Sequence, residues 1–78
     1  MRKLPLVEIE WVDATSDRRW APEEKAEVEP AIIKNVGWQL KRTKRYILMT
    51  SQRDLSNKEC SDRTRIPRGC IKTIRKIE

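Results

Sequence analysis

Histidine and phenylalanine are absent from this chain of 78 residues, which holds only two glycines, two cysteines and one tyrosine. Without histidine it lacks the commonest general base and the commonest zinc ligand. Cys60 and Cys70 alone cannot complete a Cys₂His₂ or Cys₄ zinc site, so a structural metal would have to be shared between chains. There is no Gly-rich phosphate loop, no G-x-S-x-G and no H-E-x-x-H, and nothing to activate Ser16, Ser51, Ser56 or either thiol as a nucleophile. The expectation is a protein that is not an enzyme and that carries no cofactor and no metal. Met1-Arg2-Lys3-Leu4-Pro5 has no apolar signal-peptide core, and no apolar run approaches the roughly 20 residues of a membrane span. A cytoplasmic protein with no membrane partner is expected.

What the chain does have is charge, and it is unevenly split. Residues 1–30 hold five Lys or Arg against eight Asp or Glu, giving −3, while residues 31–78 hold thirteen against four, giving +9. The net +6 therefore arises wholly in the second part. A chain this short makes one domain, residues 1–78, and buries about 60% of the surface it exposes when unfolded. Eight Ile and three Trp argue for a packed core over disorder. A disulfide between Cys60 and Cys70 is geometrically allowed if they begin neighbouring strands, but free thiols, buried or half-buried, are the preferred reading for an intracellular protein.

Hydrophobic spacing reads as strands. Leu6 to Val12 alternates, and Val7, Ile9 and Trp11 form its core side. Asp13 to Arg19 is polar and turn-prone, and Trp20 is expected to pin this long loop onto the core. Pro22 followed by Glu23 and Glu24 suits either a short helix N-terminus or an acidic loop. From Ala31 the alternation resumes, with Ile33, Asn35 and Gly37 opposite Ile32, Lys34, Val36, Trp38 and Leu40; Gly37 marks a bulge or bend. Lys41 to Arg45 holds a turn, Tyr46 to Thr50 forms a buried strand, and residues 52–58 turn again. A polar edge strand is expected from Glu59 or Cys60 to Ile66. Pro67-Arg68-Gly69 reads as a 3-10 turn that lets Ile66 and Ile71 both point inward. Cys70 to Ile77 has Ile71, Ile74 and Ile77 at helical spacing, yet its β-branched content favours a strand.

This order implies a mainly β domain: a small five-stranded, strongly bent antiparallel sheet or barrel of the Src-homology or Sm-like kind, with a long first loop and a 3-10 turn before the last strand. Val7-Glu8-Ile9-Glu10-Trp11-Val12-Asp13, Val36-Gly37-Trp38-Gln39-Leu40 and Ile66-Pro67-Arg68-Gly69-Cys70-Ile71 together resemble short, uncharacterised proteins encoded by bacteriophages and prophages. The resemblance spans most of the chain and implies a compact β domain made inside a bacterial host cell. It brings no functional residue with it.

Two binding readings remain. Lys41, Arg42, Lys44 and Arg45 crowd one hairpin, and Arg63, Arg65 and Arg68, with Lys72, Arg75 and Lys76, are candidates for a second stripe. Such cations neutralise phosphates, with Tyr46 or Trp38 available for base stacking, so the first reading is a module for nucleic acid or an anionic nucleotide. Basic turns also guard strand edges, and Trp38 beside Gly37 suits the core. The rival is a protein-interaction module that docks on a host factor or self-assembles into a homo-oligomer, since its acidic first loop and basic second half are complementary. Glu8 and Glu10 share a strand face and read as solvated.

Overall fold

The computed structural model describes residues 3–14 and 18–77; Ser16 lies outside them. Five strands follow one another: β1 (Leu6–Asp13), β2 (Ala31–Arg42), β3 (Tyr46–Asp54), β4 (Glu59–Pro67) and β5 (Ile71–Lys76). One-turn 3-10 helices occupy Glu23–Lys25 and Arg68–Cys70. The strands make a single sheet in the order β4-β3-β2-β1-β5, with every neighbouring pair antiparallel. The expected strand order, the long first loop and the 3-10 turn are all present, and the final Ile-rich run is a strand.

β2 is shared between two halves of the sheet. Its first part pairs with β1 from Asp13↔Ala31 to Leu6↔Trp38, and its second part pairs with β3 from Trp38↔Thr50 to Arg42↔Ile47, across an irregularity between Gln39 and Lys41. Gly37 stands at the changeover. A Cβ there would fall far inside van der Waals distance of the Thr50 carbonyl oxygen, so the bend expected of this residue takes the form of a close approach of two backbones.

β4 and β5 lie at opposite edges of the sheet although only Arg68–Cys70 separates them in sequence. Five adjacent strands span about 19 Å at 4.8 Å per step, and a turn of three residues reaches no more than about 14 Å. The sheet must therefore curl until its edges approach at this corner. The curl stops short of a barrel, because no β4–β5 ladder forms among the described residues. A 3-10 turn reverses the chain while stepping it sideways, whereas a ladder would need a hairpin, and both edges carry cations that repel at close range.

The core sits inside the curl. Val7, Ile9, Ile47, Met49 and Ile66 are buried, and Trp11, Ile71 and Ile74 pack against them. Trp11 donates its indole N–H to Asn35 Oδ1 at 2.7 Å, which satisfies both polar groups beside the core. Thr50 is buried too, and its hydroxyl reaches the carbonyls of Gln52 and Ser61.

Two sequence expectations change here. Trp20 does not pin its loop to the core, for it is 101% exposed. Beyond the Asp13↔Ala31 pair the chain forms an arm whose described residues up to Pro30 are all exposed. The molecule is accordingly long, at 55 × 22 × 20 Å with a radius of gyration of 16.2 Å, against about 11–12 Å for a compact chain of this length. Cys60 and Cys70 are free and half-buried at opposite ends of β4, and the strands they introduce are not neighbours. No helix among the described residues is long and apolar enough to cross a membrane.

Candidate nucleic-acid interface

The sheet register decides which basic side chains share a surface. Lys41 pairs with Leu48, and Leu48 with Arg65, so these three form one row across β2, β3 and β4. The adjacent row holds Ile47 and Ile66, both fully buried. Since directly opposed residues share a face and successive rows alternate, Lys41 and Arg65 point away from the core. Tyr46 and Arg63 lie two residues from Leu48 and Arg65 on the same face. Trp38, paired with Thr50 opposite Arg63, extends it.

The rim of this face is built by the β2–β3 turn. Thr43 Oγ1 accepts the backbone N–H groups of Arg45 and Tyr46 at 3.1 and 3.0 Å, and the Thr43 N–H donates to the Tyr46 carbonyl at 2.9 Å. This threonine-based turn fixes where Lys44 and Arg45 stand. The Arg68 N–H donates to the Arg45 carbonyl at 2.8 Å, tying the 3-10 turn after β4 to the same rim.

Of the eight residues singled out in the sequence, the register puts Lys41, Tyr46, Arg63 and Arg65 on one face, and the backbone puts Lys44, Arg45 and Arg68 at its rim. Arg42 does not join them, because its partner is Ile47 and its register belongs to the core side, where the strand end leaves it exposed. The second stripe does not form as expected either. Lys72, Arg75 and Lys76 sit on β5 at the far edge, and Arg75 is ion-paired with Glu8, which also holds Lys34 at 3.3 Å. Those two cations keep the Glu8 carboxyl below the usual glutamate range, Arg75 being the larger cause.

Arg65 and Tyr46 form the most defined pair on the face. The guanidinium carbon lies 3.7 Å from the centre of the phenol ring, a close cation–π contact. Tyr46 is half-buried, with the Arg65 guanidinium over one face of its ring. A second pair was not legible in the sequence: the Arg53 guanidinium lies 5.6 Å from the Trp38 ring centre, brought there by the bend in β2.

The electrostatics of the face follow from where the acids are. There is no Asp or Glu between positions 41 and 53 or between 63 and 77. Asp62, exposed in β4, directly precedes Arg63, while Asp54 and Glu59 stand at the other end of the β3–β4 pair, where Asp54 is engaged by the backbone N–H groups of Ser56 and Asn57. Among the described residues, no carboxylate is ion-paired with Lys41, Lys44, Arg45, Arg63, Arg65 or Arg68. The described residues likewise contain no cluster of three or more side chains able to hold a metal. The face is thus rich in cations, with one guanidinium set against an aromatic ring. The chain matches no family model, and neither a curated protein nor a solved structure matches it significantly.

Proposed function

We propose that this protein is a non-enzymatic binding module whose outward β2–β3–β4 face receives the phosphate backbone of a nucleic acid, or the phosphates of a nucleotide. The observation that carries the reading is the convergence of Lys41, Arg63 and Arg65 with the rim residues Lys44, Arg45 and Arg68, cations that no described carboxylate neutralises.

The test is fluorescence polarisation with labelled oligonucleotides of several sequences. Replacing Lys41, Lys44 and Arg45 by Gln weakens binding to all sequences alike, and the salt dependence on duplex DNA becomes shallower by about 0.9 for each phosphate no longer neutralised. Arg65→Lys keeps the charge but removes the planar, Tyr46-stacked donor edge, so it weakens binding more than a surface Lys-for-Arg exchange at Arg63. Unchanged affinity in the triple variant contradicts the reading. The alternative, a protein-interaction module that docks on a host factor or self-assembles, is favoured by the exposed Trp20 and its acidic arm.

A further inference from the structure

We propose that the arm between β1 and β2 is a self-association element: residues 20–30 of one copy lie across the cationic β2–β3–β4 face of a second copy. Three observations support this.

The first is Trp20. A fully exposed indole is costly to keep in water, and large aromatic side chains of this kind are typical anchors of protein interfaces. Val28, 44% exposed, adds apolar surface to the same arm. The second is charge. Residues 20–30 contain Glu23, Glu24, Glu27 and Glu29 against Lys25 alone, giving −3. The 3-10 turn Glu23–Lys25 holds Glu23 and Glu24 on an exposed surface. The acceptor face carries six cations with no carboxylate paired to them among the described residues, so the two surfaces are complementary in sign.

The third is the direction of the chain. The arm leaves the sheet at Ala31, the first residue of β2, while the basic turn begins after Arg42, its last. These are opposite ends of a strand of 12 residues. The sheet therefore holds the arm away from its own cationic face, and the complementary pairing forms between two chains. Reciprocal exchange, in which each copy lends its arm to the other, closes as a two-fold dimer and leaves no arm unsatisfied.

The arm and a nucleic acid would compete for the same face, so the arm is tested by itself, with no nucleic acid present. Sedimentation of the full chain gives a dimer at low salt that dissociates as salt screens the interface. Trp20→Ala weakens the dimer by about 30-fold or more, as expected of a central aromatic anchor. A variant with Glu23, Glu24 and Glu27 changed to Lys is monomeric, and so is one with Lys41, Lys44 and Arg45 changed to Glu. Mixing the two restores a heterodimer: the basic arm of the first chain meets the three new carboxylates of the second, and the acidic arm of the second meets the basic face of the first. An unchanged thermal melt in the arm variants excludes loss of folding as the cause, since every substituted arm residue is exposed. A monomer at all protein concentrations, a dimer indifferent to the arm substitutions, or a mixture that stays monomeric overturns the proposal.

Discussion

Glu8 is held between Lys34 and Arg75 on the outer side of the β5–β1–β2 half of the sheet, three side chains on three adjacent strands. Its carboxyl titrates lower in the folded chain than in the unfolded one. The unfolded state therefore takes up the proton first as pH falls, and the stabilisation is fully present above the ordinary glutamate value of about 4.3 and lost as pH falls through the folded value. Urea melts of the native protein and Glu8→Gln should differ most near neutral pH and converge in acid; a gap of constant size contradicts the ion-pair account. Both cations are exposed, so added salt narrows the same gap. Gly37 carries a steric constraint of a different kind. Gly37→Ala puts a methyl group against the Thr50 backbone, where neither strand can yield without disturbing the buried Thr50 hydrogen bonds. Its expected cost is about 1–3 kcal/mol by urea denaturation, while Gly69→Ala, where an added Cβ meets nothing, serves as the neutral control.

At the scale of elements, the corner from β4 to β5 sets the curl of the sheet. Ile66 is fully buried and Ile71 packs on the same core, with Pro67 and one 3-10 turn between them. Ile66→Ala is expected to cost about 2–5 kcal/mol, most of the stability available to a domain this small, and the thermal transition should broaden or disappear. A fully native melt would mean that this corner does not anchor the core. Elements of this sort were legible in the sequence, because a half-buried strand writes its burial as alternation: Val7 and Ile9 inward against Glu8 and Glu10 outward in β1, and Ile33 and Asn35 against Ile32, Lys34 and Val36 in β2. Pro67 and Gly69 marked the 3-10 turn by their own backbone preferences. What depended on distant partners was not legible. Whether the sheet closes is decided by which edges meet. Arg75 was assigned to a basic stripe although Glu8, 67 positions away, neutralises it. A lone Trp20 in a polar segment carried no pattern to tell core from solvent.

Seen whole, the molecule is a curled sheet with two charged features at separate ends, an acidic arm carrying an exposed indole and a cationic face with Arg65 set over Tyr46. The sequence announced the imbalance of charge between its two parts, and the face itself required the register that puts Lys41, Leu48 and Arg65 in one row. The cationic face as a reader of phosphate is the central claim, and its most direct measurement is oligonucleotide binding by fluorescence polarisation across a salt series. With five or six of the cations each neutralising a phosphate, the logarithm of the affinity should fall linearly with the logarithm of salt at a slope of about −4.5 to −5.5 on duplex DNA. Binding that is indifferent to salt, or no binding at the lowest salt, would contradict it.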